Sequence, residues 1–555
     1  MPREMKCGFV DPDSGMMLDS RRLEREARSG FWCDKVLTDC FNETLKTRPG
    51  ELALVTFRMD SGSEIQLSFA ELNQRIDLIA ANLIRLGVKP GDVVSYQLPN
   101  GWEFVALLLA CIRVGAVSNP LMPIFRYREM EFMVGRAGSK LLIVPRVFRN
   151  FDHEAMARKL QESLPLLEKV IIVDGHGVDS FTDVLLSTQD ARLNPVPAGM
   201  GPNDVLKLMY TSGTTGEPKG VMHSSNTLLA TVIRLAERIE LSGGDVMFVP
   251  TPFAHSFGFV YGIMMSVYLG IPLVTMDVWD PVAAVELMSR HAVSFSFGTP
   301  PFLSDLVHLP GVDQRRLRSF RLFLASGAPI PRALVSEAEK NLGVRVEIAF
   351  GMTELGIVSA TSPAHPEEGW DTDGFDLPAS ETRIVDADRK ELPAGREGSL
   401  ECRGSSTFVG YHRRPDLYAV DEDGWFDTGD LARKNANGYI RIVGRKKDII
   451  IRGGENIPVV EVERLIHEIP QVLDVALVAM PDPRLGERVC AFITLHVGMQ
   501  LSLQELTDNL EGRYLARQYM PERLEIVEAL PRTPTGKIQK FVLRQLAAEL
   551  AGKPS

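Results

Sequence analysis

Cysteine is scarce and scattered. The six residues Cys7, Cys33, Cys40, Cys111, Cys402 and Cys490 form no C-x-x-C pair and no cysteine–histidine cluster at metal-ligand spacing. That excludes a disulfide framework and a zinc module, and it points to a reduced, cytoplasmic chain. Positive charge is short as well: 61 Lys and Arg stand against 72 Asp and Glu, a formal net charge of −11. With no basic run, a nucleic-acid partner is not expected. Uninterrupted apolar runs are also missing. The stretch 104–117 is broken by Arg113, and 257–276 contains Gly262, Gly270 and Pro272. Both read as buried helices and strands, not as integral membrane segments. The opening MPREMKCGFVDPDSG has no apolar core of a signal peptide. Residues 1–30 read as an N-terminal tail, partly disordered. Internal repeats and low-complexity tracts are absent.

What is present is ordinary for a globular protein: 24% charged and 45% hydrophobic residues in a chain of 555. That length suits roughly three or four domains. The upstream part alternates helix and strand signals. LSFAELNQRIDLIAANLIRLGV (67–88) predicts a helix with a Ser68/Glu71 capping box, an apolar face at Leu72, Ile76, Ile79 and Leu83, and an end at Gly87. Strand 92–98 and buried helix 102–116 follow. VLKLMYT (205–211), VMFVPT, PLVTM, FSFG and LFLASG read as short strands separated by helical stretches. The expected fold class is α/β: a large N-terminal domain of layered, mostly parallel sheets covered by helices. Ligands bind at the carboxyl ends of such strands. From about 378 hairpin patterns predict a small β-rich subdomain. Beyond 444–448 a small α+β unit is expected, with helix 458–468, strands 473–480 and 489–496, helix 502–518 and a terminal helix 538–550.

Residues 210–220 read YTSGTTGEPKG, in which seven of eleven are glycine, serine or threonine. Glycines let backbone N–H groups turn toward an anion, and hydroxyls add donors. A P-loop would need G-x-x-x-x-G-K-[ST]; here Gly220 follows Lys219, and Pro218 removes a backbone donor. This is a phosphate loop of another kind.

Thr211-Ser212-Gly213-Thr214-Thr215-Gly216-Glu217-Pro218-Lys219-Gly220 resembles the signature loop of the AMP-forming acyl-CoA synthetases, the adenylate-forming (AMP-binding) superfamily. SGAP (326–329), GMTE (351–354), DTGD (427–430), GRKKD (444–448), RGGENI (452–457) and PRTPTGK (531–537) follow in order. The wording of 123–134, 371–376 and 444–457 is similar to short- and medium-chain acyl-CoA synthetases and cyclohexanecarboxylate–CoA ligases. The resemblance implies ATP and Mg2+ as cofactors, coenzyme A as co-substrate and a small carboxylic acid as substrate. It implies an AMP-binding domain at 31–443, a hinge at 444–448 and a mobile C-terminal domain at 449–555.

It also implies roles. Thr211, Ser212, Gly213, Thr214, Thr215, Gly216 and Lys219 would hold the β- and γ-phosphates. Ser326, Gly327 and Ala328 would line adenine, with Phe350, where relatives often carry tyrosine, stacking on it beside Gly351. Thr353 would contact the α-phosphate and Glu354 would ligate Mg2+, which suits an ion that takes one or two carboxylates plus phosphate oxygens. Asp430 would accept the ribose hydroxyls and Arg445 would hold the ribose. Lys537 would be the catalytic lysine of adenylation. Lys447 would be the hinge, and Arg452, Gly453, Gly454 and Glu455 would line the CoA path. PFAHSFGFVYG (252–262) would border the acyl pocket, with His255 taking part in catalysis. Phe253, Phe257, Phe259, Gly298 and Met352 would line that pocket. DTDG (371–374) lacks the later ligands of a calcium loop and reads as a turn. The rival within the fold loads a carrier-protein thiol instead of CoA; no carrier domain follows in the chain, which favours free CoA.

Overall fold

The computed structural model describes residues 14–188, 199–211, 218–328, 330–365, 372–446, 448–452, 455–513, 515, 517–533 and 536–551. Two large sheets carry the N-terminal part. One has nine strands. Its centre is six parallel strands in the spatial order Arg345–Met352, Leu322–Ser326, Phe295–Gly298, Met247–Val249, Leu273–Met276 and Leu52–Arg58. Antiparallel strands close both edges. The other has seven strands, five of them parallel, ending in the antiparallel hairpin Val205–Thr211/Lys219–Ser224 and the edge strand Gly410–Tyr411. Strands such as Leu322–Ser326 and Phe295–Gly298 are buried at every position, as parallel strands covered on both faces must be.

The largest apolar cluster is built around helix Trp102–Val114, in which every residue except Arg113 is buried. Arg113 is satisfied by an ion pair with Asp77 and by donating to Asn73 Oδ1 at 2.7 Å. Helix Phe69–Arg85 packs beside it and carries the expected capping box, with Glu71 Oε2 accepting the Ser68 N–H at 2.8 Å. The apolar run after 256 forms a π-helix, Phe257–Met264, continued by helix Met265–Leu269 and strand Leu273–Met276. Among the described residues no helix is long and apolar enough to cross a membrane.

A four-stranded antiparallel sheet, Ser380–Val385, Glu397–Gly404, Phe426–Lys434 and Ile440–Arg445, forms the β-rich subdomain. The C-terminal unit has its own apolar cluster, drawn from Ile450 to Leu524, around the hairpin Val472–Asp482/Gly486–Leu495. Side-chain allegiance changes between 446 and 448. Lys446 pairs with Asp427 at 2.6 Å on the upstream side, and Asp448 pairs with Arg544 of the C-terminal helix at 2.6 Å.

Two expectations need correction. Residues 14–30, read as part of a tail, are built into the fold. Helix Ser20–Ser29 buries Arg22, whose guanidinium donates to the carbonyls of Thr407 and Phe408, and Glu26, which accepts the Ser405 hydroxyl at 2.5 Å. Two charges four residues apart share one helix face, so one short helix satisfies a whole buried loop. The expected helix 502–518 stops early, as Leu503–Gly512, with a separate short turn at Arg517–Tyr519. Gly512 lowers helix propensity at the break.

Candidate active site

The candidate residues lie at carboxyl ends of strands from both sheets and on the β-rich subdomain. Thr211 ends one strand and pairs in register with Lys219 across the hairpin. Residues 212–217, with Ser212, Gly213, Thr214, Thr215 and Gly216, lie outside the described residues, as do Pro329, Lys447, Gly453, Gly454 and the Glu455 side chain. The Lys219 ammonium sits 5.0 Å over the ring of Tyr411.

Tyr411 links that hairpin to the next motif. Its strand pairs with Val221, and its hydroxyl donates to Glu354 Oε1 at 2.9 Å. Glu354 is only 7% exposed. Burial raises its pKa, opposed by the Tyr411 hydrogen bond and by Lys219 and Arg445. The preceding carbonyl, of Thr353, accepts from His223 Nε2 at 2.7 Å. A carbonyl can only accept, so Nε2 carries the proton. Full burial, with Lys207 nearby, holds the His223 pKa well below its usual range, so the ring is neutral. His223 and Tyr411 therefore fix the Thr353–Glu354 turn from two sides. Gly351 has no substitute: a Cβ there would lie 2.4 Å from the Gly356 carbonyl oxygen. Phe350 and Met352, on the same strand, pack partly against the cluster that contains Tyr411.

Ser326, buried, ends its strand, with Gly327 and Ala328 following. Asp430 is held at the start of the subdomain's last hairpin, where its strand pairs with Arg445. Arg445 Nε donates to Asp430 Oδ1 at 2.8 Å. The other oxygen, Oδ2, is buried with no hydrogen-bond partner among the described residues. Burial raises the Asp430 pKa, with Arg445 and Lys537 pulling it down. Such an oxygen is costly unless a ligand hydroxyl completes it.

Lys537 comes from the C-terminal unit. Its backbone N–H donates to Thr533 Oγ1 at 3.1 Å, and its carbonyl accepts from Thr533 N at 2.7 Å, closing a tight turn. Gly536 makes that turn dock: its φ is +81°, and a Cβ would stand 3.0 Å from Thr299 Oγ1. Lys537 as a residue is exposed, yet loss of water around its ammonium lowers the pKa to about 8, with Arg445 adding to the shift and Asp430 and Asp448 opposing it. Arg452, from the CoA-path motif, makes a two-point ion pair with Glu522 at 2.8 and 3.2 Å.

The expected acyl-pocket residues divide. His255 and Phe257 are partly accessible. His255 Nδ1 accepts from Phe257 N at 3.2 Å, so the ring proton is on Nε2. Burial, with Lys207 and Lys537 adding to the shift, lowers its pKa to about 4, so it is neutral at physiological pH. Phe257 packs against Tyr261 and Phe297 at 5.4 and 5.5 Å. Phe253 and Phe259 are fully buried; Phe253 lies against Phe104, and Phe259 lies under Lys207. Gly298 leaves space that Phe302 fills, 2.8 Å from where a Cβ would stand.

Tyr411, His223 and Lys207 were not singled out from the sequence. Lys207, in the strand before the phosphate loop, is fully buried, and its pKa falls to about 7 through burial, opposed by Glu354. Its register partner is His223. The one signal was a lysine inside an otherwise apolar strand, VLKLMYT.

Known proteins share this organisation. Residues 41–412 match the AMP-binding enzyme family model, and residues 461–537 match the AMP-binding enzyme C-terminal domain. The chain is 33% identical over 536 residues to a medium-chain fatty-acid–CoA ligase of Escherichia coli, covering 96% of this chain and 94% of that protein. It is 32% identical to a salicylyl-CoA synthase / salicylate adenylyltransferase of a Streptomyces species, covering 94% and 96%. Among solved structures, ATP-bound MatB from Rhodopseudomonas palustris superimposes with a TM-score of 0.83 at 27% identity, covering 93% of this chain and 100% of that one. The anthranilate CoA ligase AuaEII with anthranoyl-AMP gives a TM-score of 0.83 at 25% identity, covering 93% and 98%. The match spans both large sheets, the antiparallel subdomain and the C-terminal unit, and this chain belongs to the AMP-binding enzymes.

Proposed function

We propose that this chain is an AMP-forming carboxylate–CoA ligase for a short- or medium-chain or alicyclic acid. The relative from Escherichia coli, a medium-chain fatty-acid–CoA ligase, supports that acid class. The acid attacks the α-phosphate of ATP, giving an acyl-adenylate and pyrophosphate. The CoA thiol then displaces AMP and forms the thioester.

The unpartnered Asp430 Oδ2 carries the reading. It is a buried acceptor, braced on its other oxygen by Arg445, and it suits a ribose hydroxyl. The residues that meet the phosphates are Thr211 and Lys219, with the loop between them. Adenylation brings two anions together, so it needs positive charge placed before the reaction starts. Lys537 supplies a point charge from the C-terminal unit, and Lys219 and Arg445 supply two more.

Mg2+ fits Glu354: the carboxylate is buried, braced on one oxygen by Tyr411 and on its backbone by Phe408 N at 2.7 Å. When bound, Mg2+ would draw charge from the phosphate oxygens, and Glu354 would be its protein ligand. Among the described residues there is no cluster of three metal-binding side chains, which agrees with an ion held largely by phosphate and water. Neutral His255, with its proton on Nε2, can donate to the acid at the pocket mouth.

The hinge is assigned to Lys447, between Lys446 and Asp448, whose ion pairs belong to different units. Rotation there would exchange the Lys537 turn for the Arg452–Glu455 segment, whose glycines leave room for pantetheine. A cytoplasmic location is in keeping with the free cysteines among the described residues. The test is AMP release with butyrate, hexanoate, octanoate, cyclohexanecarboxylate and benzoate, with and without CoA. CoA-dependent AMP release is expected. Acid-dependent pyrophosphate exchange that CoA leaves unchanged would instead point to a carrier-protein thiol as acceptor.

A further inference from the structure

Glu354 depends on one loop. Phe408 N donates to the Glu354 carbonyl at 2.7 Å, and the Tyr411 hydroxyl donates to Glu354 Oε1 at 2.9 Å. Beside them, Ser406 Oγ donates to the Leu355 carbonyl at 2.6 Å. Residues 406–411 thus hold the backbone and the carboxylate of Glu354 at once. The Phe408 ring packs 4.7 Å from that of Tyr411 and ties the two contacts together.

The other side of the same loop is held by residues 14–32. Arg22 donates to the Thr407 carbonyl and, at 2.8 Å, to the Phe408 carbonyl. Glu26 Oε2 accepts the Ser405 hydroxyl, and Trp32 Nε1 donates to the Ser405 carbonyl at 2.9 Å. Met17 N donates to the Val409 carbonyl at 2.6 Å. Gly410 lets the two backbones touch: a Cβ there would stand 2.3 Å from the Gly15 carbonyl oxygen.

The Thr407 carbonyl and the Phe408 N–H belong to one planar trans peptide and point to opposite sides of it. Arg22 binds the oxygen of that group, and the Glu354 carbonyl accepts its proton. Fixing the oxygen therefore fixes the direction of the N–H. A guanidinium keeps its charge in proteins, and a cation on the oxygen polarises the peptide and strengthens its N–H as a donor. Arg22 is only 7% exposed. A buried guanidinium is a costly way to seat a helix, since apolar side chains of similar volume often serve as well. What it supplies is placement, because its rigid fork of donors meets two adjacent carbonyls at once.

We propose that Arg22 is a positioning residue for Glu354, acting through the Thr407–Phe408 peptide, so that the N-terminal segment 14–32 belongs to the adenylation machinery. This rests on the reading of Glu354 as the Mg2+ ligand.

The experiment measures ATP binding by calorimetry, with and without Mg2+, in wild type, Arg22→Met, Arg22→Lys and Leu23→Ala. Leu23 is on the same helix, in one apolar cluster with Trp32 and Ala230. Its truncation loosens the helix and leaves the Arg22 contacts in place. Hydrogen–deuterium exchange at the Phe408 amide, without nucleotide, reads the peptide itself. In wild type Mg2+ should tighten ATP binding. Arg22→Met should lose about fivefold or more of that Mg2+ gain, with affinity for metal-free ATP within about twofold of wild type. Its Phe408 amide should exchange faster. Arg22→Lys, a single-point donor, should fall between the two. Leu23→Ala should melt lower than wild type and keep the full Mg2+ gain. If Arg22→Met does not fold, Arg22→Lys decides. The proposal is overturned by a Mg2+ gain equal to wild type in the Arg22 variants, or by a Phe408 amide that exchanges no faster. A Mg2+ gain that falls in Leu23→Ala in step with its melting temperature would also overturn it, and would make the segment a structural prop. Wild-type ATP binding that Mg2+ leaves unchanged would overturn the metal role of Glu354, and the proposal with it. No ATP binding by wild type in either condition would overturn the ligase reading itself.

Discussion

The nucleotide half and the acyl half of the cleft are built differently. On the nucleotide side, the functional groups come in contiguous stretches: Thr211 to Lys219, Gly351 to Glu354, Thr428 to Asp430, and the turn that ends at Lys537. They sit on strand ends and turns, and their neighbours are hydrogen-bonded backbone. Thr353 is held by His223, Glu354 by Tyr411 and Asp430 by Arg445. The acyl side is assembled from separate elements that meet only in the fold. His255 precedes the π-helix, Phe257 opens it, and Phe297 comes from a strand of the nine-stranded sheet. In the proposed reaction, one half is a fixed instrument for charged phosphate chemistry. The other can be re-cut one side chain at a time, which suits a fold whose relatives are named for quite different acids.

The contrast can be broken by mutation. The largest loss is expected for Glu354→Gln: exchange should fall about 10²–10³-fold with ATP and Mg2+, since the ion that would offset the developing phosphate charge loses its protein ligand. An equal loss for Lys219→Ala would merge the two roles that the geometry separates. Next is Asp430→Asn. It should raise KM for ATP about 10-fold or more, the cost of weakening a hydrogen bond to a charged group, with kcat changed less. If kcat falls and KM stays, Asp430 acts in the reaction step and not in ribose binding. Tyr411→Phe should be milder, about fivefold, and should appear as a higher Mg2+ requirement measured by titration. Smallest is a shift in a pH profile. Lys537 is lowered to about 8, so its charge is present below that pH and lost as pH rises through it. The kcat/KM for adenylation should therefore fall on the basic side near pH 8. Lys537→Arg should move that limb upward, because guanidinium stays charged.

The same contrast decides what the sequence makes legible. Glu354, Asp430 and Lys537 could be read because each sits among glycines and hydroxyls in a short motif. The parallel core was legible too, because strands such as FSFG and LFLASG are apolar throughout. Lys207, His223 and Tyr411 were not. Each is one polar residue in an apolar or mixed strand, and its partner lies 49, 130 and 57 residues away in the chain. Only register brings such pairs together, and register depends on which strands are neighbours. The helix Ser20–Ser29 was missed for the same reason: SRRLEREARS is too polar to suggest a core-facing stripe. Its buried Arg22 and Glu26 make sense only beside residues 405–408.

The most direct test separates the two half-reactions in one variant, Lys537→Ala. Pyrophosphate exchange with a productive acid measures adenylation; a supplied acyl-adenylate with CoA measures thioester formation. Adenylation should drop about 10²–10³-fold, with thioester formation near the wild-type rate. Equal loss of both, in a variant that melts like wild type, would contradict a lysine that serves one step from one orientation of the C-terminal unit.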